Sequence, residues 1–453
     1  MNDYDLLVTP RHSAIPGDRA SELDVLVRLQ APDRPADESP ERAHTLNLAC
    51  VIDRSGSMSG QPLEEAKRCV GHIIDGLEPR DRAAVVVYDN RARVLVPGTP
   101  VTEPAHLKSL LAGVHAGGAT DLHGGWLRGA EQLVDAPQED AVSRVILLSD
   151  GNANAGLTDP GTIAAQCEEL ATAGVTTSTY GLGRHFNEQL MIDMARHGGG
   201  NHYYGETAAD LLEPFREEFD LLQDLCARHV RLRIMPSGGV RARVVNDYQP
   251  AGRDTWRLPD LAWASEGWAL LRLEISEEAV AGAAAGDVPL LELEVELVDT
   301  APRVRRFLPG SLTLPAVASG HAKLAVADEL VAARAVELDS AGLQQRIRDA
   351  AAAGDWSAAE RLLAQAERDA VRHPWLREML GSLRHLLEAR DQQRFLKESA
   401  YAAPRLNRRL AERGTADHAA FDAGCESRKR SYLRRRSRQG RRTDDSGERG
   451  GRE

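Results

Sequence analysis

An aspartate and two serines stand at alternate positions in the stretch LACVIDRSGSMSG, as Asp53, Ser55 and Ser57. They offer one anionic and two neutral oxygens to a single point. Such hard donors suit a small, hard cation: Mg2+ takes six oxygens at roughly 2.0–2.1 Å and keeps waters among them. Gly56, between the serines, lets the backbone turn tightly. Asp and Ser are also favoured helix caps, which is a plainer reading of this one loop. Two other loops carry similar donors. AGGATDLHGGW places Thr120 after a glycine pair and just before a helix, and RVILLSDGNAN ends an apolar strand in Asp150-Gly151.

The elements that must position these residues follow from the apolar pattern. Leu46–Ile52 is an unbroken apolar run that reads as a buried strand stopping at the carboxylate. QPLEEAKRCVGHIIDGL follows with apolar residues at helical spacing and Pro62 in its first turn. From about His44 to Ala227 strands and helices alternate. Strands are expected at Leu46–Ile52, Ala83–Tyr88, Val145–Ser149, Val175–Gly181 and, more weakly, His202–Tyr204, with RARVLVPG adding an edge hairpin. Helices are expected at Leu63–Leu77, Ala105–Gly113, Gly124–Val134, Pro160–Ala173, Glu188–Arg196 and Ala208–Ala227. Short buried strands separated by amphipathic helices predict a mostly parallel sheet covered on both faces. In such sheets ligands bind at the carboxyl ends of the strands, where the strand order reverses. Asp53 and Asp150 both fall on that rim.

Other patterns flank this region. YDLLVTP and SELDVLVRLQAP read as strands within residues 1–32, and Asp33–Arg42 is a Pro- and charge-rich linker. After Arg228, HVRLRIMP, VRARVVND, WALLRLEIS, LLELEVELVD and SLTLPAV alternate apolar and polar residues. This predicts an antiparallel β-sandwich over residues 228–316 with solvent on its outer faces. The two N-terminal strands are too short to fold alone, so residues 1–32 are expected to join that sandwich, with residues 44–227 inserted between its halves. Residues 321–403 are rich in Ala, Leu, Glu and Arg and read as helices; AAAGDWSAAERLLAQAERDA has the spacing of one helical hairpin. Residues 404–453 form a basic, Gly-tipped tail expected to be disordered.

A chain of 453 residues holds more than one core can use, and 42% apolar with 27% charged residues is an ordinary soluble composition. The net charge of −12 hides an asymmetry, because residues 401–453 carry about fifteen Lys and Arg against about eight acids. Five cysteines without CxxC spacing read as buried thiols in a reducing compartment, and a cytoplasmic location is expected. No N-terminal apolar segment exists, and no window approaches the roughly 18–20 apolar residues of a membrane span.

Taken together, Asp53, Ser55, Ser57, Thr120 and Asp150 resemble the metal-ion-dependent adhesion site (MIDAS) of the von Willebrand factor A (VWA) domain family. The segment GLGRHFNEQLMIDMARHGGGNHYY is similar to bacterial members, and residues 44–227 carry the resemblance. Beyond them the chain resembles, less specifically, bacterial proteins labelled as similar to calcium-activated chloride channel regulators. The resemblance implies a multidomain α/β protein: a Rossmann-like, doubly wound VWA domain at 44–227, an antiparallel β-sandwich and a C-terminal α-helical region. It also implies that the two serines bind the metal directly, while Thr120, Asp53 and Asp150 bind directly or through water. Mg2+ suits this hydroxyl-rich set, with Mn2+ or Ca2+ as alternatives. Two carboxylates at most neutralise the ion, so a partner's acidic side chain can fill an open position.

The expected function is therefore a non-catalytic, Mg2+-dependent scaffold that captures an exposed Asp or Glu of a partner protein. The alternative is a non-ATPase accessory subunit of an AAA-type ATPase, chaperone or chelatase complex, since the chain has no GxxxxGK[ST] motif of its own. HExxH and GxSxG are absent too. A phosphatase with an aspartate nucleophile would need a second Asp where Ser55 stands. Clustered Arg in the tail suits nonspecific nucleic-acid contact, but the acidic remainder opposes it, and Tyr432 is the one aromatic within the basic run. His123 lies near Thr120 in sequence and is a candidate for tuning the ligand groove.

Overall fold

The computed structural model describes residues 4–34, 42, 44–134, 141–150, 153–182, 187–205, 210, 212–281, 286–300, 302–390, 392, 395–396, 399 and 410–412. They fall into two compact bodies, one of residues 44–223 and one of the stretches on either side of it in sequence. The flanking body begins with strands β1 (Asp5–Pro10), β2 (Ile15–Pro16) and β3 (Ser21–Gln30).

Strand β4 (Thr45–Asp53) is central to the other body. Every residue from Leu46 to Asp53 is buried, and because side chains alternate between faces, both faces must be covered. There follow α1 (Gln61–Gly76), β5 (Arg82–Tyr88), β6 (Ala92–Pro100), α2 (Pro104–Ala112), α3 (Leu122–Val134) and β7 (Ala141–Ser149). Then come α4 (Pro160–Thr172), β8 (Val175–Leu182), α5 (Glu188–His197), β9 (Gly199–Gly205) and α6 (Leu212–Asp224). The strand order is β6-β5-β4-β7-β8-β9, parallel throughout except for the edge strand β6. The chain moves from β4 outward through β5 on one side and through β7 on the other. The order therefore reverses at β4, and a crevice opens beyond the carboxyl ends of β4 and β7. Ile52 pairs with Leu148, which sets Asp53 beside Ser149 at that rim.

Two glycines seat α3 on the sheet. A Cβ on Gly125 would stand 2.4 Å from the Tyr88 ring, and one on Gly129 would stand 2.3 Å from a Val51 methyl. The HGGWLRG sequence thus brings α3, and the Thr120 loop that precedes it, close against β4 and β5. Helix α6 ends at Asp224 and Leu225 enters a strand directly, so the helix expected to reach Ala227 stops earlier. Alternation in LCARHVRLRI overrides the helical reading there.

The flanking body continues with β10 (Leu225–Pro236), β11 (Val240–Val244), β12 (Pro250–Gly252), β13 (Thr255–Arg257), β14 (Leu261–Ala262) and β15 (Ser265–Ile275). After α7 (Glu277–Val280) come β16 (Asp287–Asp299) and β17 (Arg305–Val317), then α8 (Ala322–Ala325), α9 (Glu329–Ala352), α10 (Trp356–Asp369), α11 (Pro374–Glu388) and β18 (Ala411–Glu412). One sheet runs β1-β3-β15-β11 with β18 on β15; the other runs β12-β13-β10-β16-β17-β2 with β14 on β10. Pairing is antiparallel except between β17 and β2. β3 lies along β15 from Ser21 opposite Ile275 to Gln30 opposite Glu266.

One expectation changes here. The sandwich was expected to show solvent on its outer faces, yet Leu26, Trp268 and Leu270 pack against Val331, Ala335 and Leu338 of α9, and the Arg334 guanidinium sits 4.4 Å above the Trp268 ring. Trp268–Leu271 is a continuous apolar run, the mark of a strand buried on both faces; the alternation further along β15 masks it. Of the tail at 404–453, residues 410–412 are described, and Ala411–Glu412 pairs with β15. The Arg-rich run and Tyr432 lie outside the described residues, as do Gly183–Phe186 of the GLGRHF motif. The far half of α9 packs with α10 and α11 around Leu363, Leu376 and Leu380. Among the described residues no helix is long and apolar enough to cross a membrane.

Candidate metal centre

Asp53 closes β4 and is fully buried. One of its oxygens accepts the Ser55 backbone N–H at 2.8 Å and the other accepts the Ser149 hydroxyl at 2.7 Å. The chain then makes one 3-10 turn, Gly56–Met58, pinned by the buried Met58 side chain. This turn brings the Ser55 and Ser57 hydroxyl oxygens within 3.1 Å of each other. Gly60 exits the loop at φ +84°, a conformation that favours glycine, and α1 starts at the next residue. Ser57 donates its hydroxyl to Asp150 Oδ1 at 3.0 Å. Asp53, Ser55, Ser57 and Asp150 thus form one continuous hydrogen-bonded set.

Thr120 reaches the same rim through its backbone and is itself buried. On one side, Gly56 N–H donates to Gly118 O at 3.1 Å and Gly117 N–H donates to Arg54 O at 2.7 Å. On the other, Asn154 Oδ1 accepts the Thr120 N–H at 2.9 Å, while the N–H groups of Asn154 and Ala155 donate to Thr120 O at 3.1 and 3.2 Å. Arg54 braces the loops from outside. It pairs with Asp89 and donates to His115 O at 3.2 Å.

The electrostatics point to negative charge without a compensating cation among the described residues. Burial pushes the Asp53 carboxyl up, against the pull of its hydrogen bonds to Ser55 and Ser149. Asp150 is pushed up to about 6, first by burial and then by the nearby Asp53 charge, with the Ser57 hydrogen bond opposing. Tyr88, buried beside Asp53, has its phenol held well above the usual range for the same reasons. Among the described residues neither carboxylate has a Lys, Arg or His ion-pair partner. Nor do any three His, Cys, Asp or Glu side chains gather at one point among those residues, so hydroxyls would have to complete a cation's shell. Hard oxygens in this mixture fit Mg2+ and its class, not the thiolate- and imidazole-loving metals.

Sequence reasoning did not single out Ser149, Asn154 or Arg54. Ser149 is a polar residue at the end of an apolar run, and Asn154 falls four places after Asp150; each is a faint signal. His123 was a candidate for tuning the groove, but its ring meets Gln166 Oε1 at 2.7 Å and tilts against Trp126. It joins α3 to α4. The four described cysteines are free and buried.

Comparison with known proteins agrees with this architecture. Residues 47–218 match the family model of the von Willebrand factor type A domain. An uncharacterized protein, sll0103, from a Synechocystis strain is 31% identical over 221 residues, covering 48% of this chain and 50% of that protein. The chain spans half or less of the length of the curated relatives it matches. A von Willebrand factor type A structure from Catenulispora acidiphila superposes with a TM-score of 0.66 at 21% identity, covering 84% of this chain and 89% of that one. The ArnB paralog VWA2 from Sulfolobus acidocaldarius superposes at 0.63 with 17% identity, over 89% and 98%. Central strand, switch point, rim loops and family match coincide on one stretch: residues 47–218 are a von Willebrand factor type A domain of Rossmann-like α/β fold, accompanied by further sheets and a C-terminal helical region.

Proposed function

We propose that residues 44–227 are a protein-binding module that works through a divalent ion. In this reading Asp53, Ser55, Ser57, Thr120 and Asp150 hold Mg2+, and an Asp or Glu of a partner protein takes a remaining position. The observation that carries it is the meeting of Asp53 and Asp150 with Ser55 and Ser57, two carboxyls pushed up and, among the described residues, no neutralising side chain beside them. The bound ion would supply a concentrated positive charge at the rim. The chain's own part is to hold the donors: the Ser55 amide and Ser149 hydroxyl fix Asp53, and Ser57 orients Asp150. A carboxylate reaching such a partly desolvated rim gains strong, directional binding. The role is binding and not catalysis. A reducing, cytoplasmic setting is part of the proposal, supported by free, buried cysteines; burial pushes the Cys50 and Cys69 thiols up to about 12.

Affinity capture from a lysate with the full chain, in millimolar Mg2+ or in EDTA, tests this. EDTA is expected to release the partner, and Ser57→Ala to reduce capture about tenfold or more while the chain stays folded. Partner retention in EDTA would refute the reading. An AAA-type ATPase among the captured proteins, with turnover sensitive to Asp150→Ala, would identify an accessory-subunit role.

A further inference from the structure

The Thr120 backbone is held from the side of the Asp150 loop by one side chain and two backbone N–H groups. Asn154 Oδ1 accepts the Thr120 N–H at 2.9 Å, and the backbone N–H groups of Asn154 and Ala155 close on the Thr120 carbonyl. Thr120 is buried, at 3% exposure, so its N–H has lost water and depends on that acceptor. Asn154 itself is exposed, which means the body does not need its side chain for packing. It stands four residues after Asp150. The contact therefore joins two of the proposed ligand loops, one entering α3 and one leaving β7. The Gly56–Gly118 hydrogen bond joins the Thr120 loop to the serine turn, but only through backbone.

We infer that Asn154 is a positioning residue for the metal centre: it fixes Thr120 relative to Asp150, so that the two donors act as one preformed unit. This rests on the metal-binding reading above. Groups that orient metal ligands without touching the metal commonly change affinity 10- to 100-fold when removed. Asn154→Ala should leave the fold intact while the Thr120 loop loses its side-chain tie to the Asp150 loop. Asn154→Asp keeps an oxygen facing the Thr120 N–H and should restore most of the loss.

The test uses the full chain and Mn2+ alone as the probe, with free Mn2+ followed by its paramagnetic resonance signal. Asn154→Ala is expected to weaken Mn2+ about tenfold or more, Asn154→Asp to stay near wild type, and melting temperatures in EDTA to be similar for all three. In a Thr120→Ala background Asn154→Ala should add little, because its effect passes through Thr120. Should Asn154→Ala fail to fold, Asn154→Ser makes the same comparison. Unchanged Mn2+ affinity in Asn154→Ala, or an equal loss with and without the Thr120 side chain, would overturn the inference. Absence of Mn2+ uptake by the wild-type chain would instead overturn the metal reading itself.

Discussion

Asp150→Asn is expected to make the metal-free protein more stable and the Mg2+-loaded protein less stable than wild type. In the metal-free state the Asp150 carboxyl is pushed up to about 6 from 3.8, by burial and by Asp53. A carboxylate whose folded pKa exceeds its unfolded one is a liability above that folded value. The penalty fades as pH falls through about 6 toward 4, because the native state then holds the proton more tightly. Discounted for the exposed part of the side chain, it is worth about 1–2 kcal/mol. Asn keeps an oxygen for the Ser57 hydroxyl and removes the charge. In EDTA at pH 8 its α/β body should melt about 2–8 °C higher than wild type. Saturating Mg2+, at about 100 times its dissociation constant, should stabilise wild type by about 2.7 kcal/mol and Asp150→Asn by far less, so the order of the two melting curves reverses. If Asp150→Asn melts lower in EDTA, carboxylate repulsion does not act at this rim. An equal Mg2+ response in both would remove Asp150 from the ligand set.

The sequence displayed the rim because donors at strand ends interrupt long apolar runs. Leu46–Ile52 halts at Asp53, and VILLS halts at Asp150. Parallel strands buried on both faces leave few polar residues, so those that remain stand out. Less visible were residues whose role depends on a neighbour far along the chain. Ser149 reads as a strand residue until β4 and β7 pair and aim it at Asp53. Asn154 reads as a turn former until its oxygen meets Thr120. The cover on the outer face of β15 was hidden for a similar reason: Trp268 and Leu270 look like part of one inner face, and only the position of α9 shows that both faces are shielded. Strand β9, GGNHYYG, offers little β pattern of its own, and its pairing with β8 decides its conformation.

The greatest loss of stability is expected from Glu218→Ala, at the opposite chemical extreme from the metal rim. Glu218 on α6 and Arg144 on β7 are both almost fully buried and form an ion pair. The same carboxylate accepts Ser178 Oγ at 2.6 Å, Asn201 Nδ2 at 2.8 Å and the Tyr203 hydroxyl at 2.8 Å. Burial alone would push this carboxyl up, but Arg144 and the converging donors outweigh it and hold it below the usual range. The sign is therefore the reverse of Asp150: the contribution is present above the unfolded pKa and is lost as pH falls through the lower folded one. Glu218→Ala removes the charge that balances a buried guanidinium and strands several buried donors, at a cost of about 3–5 kcal/mol, read as a lower urea midpoint at constant slope. Arg144→Met with Glu218→Leu should recover only part of that loss, since it removes the unbalanced guanidinium but still takes away the carboxylate to which Ser178, Asn201 and Tyr203 donate. A loss below about 1 kcal/mol for Glu218→Ala would mean that the burial penalty of the pair already cancels its attraction. Because β7 ends in Ser149 and leads directly into Asp150, the double variant separates two roles. If it regains stability and still responds to Mg2+, the network holds the α/β body together without shaping the rim; if stability returns but the response does not, the buried pair also sets where β7 delivers its carboxylate.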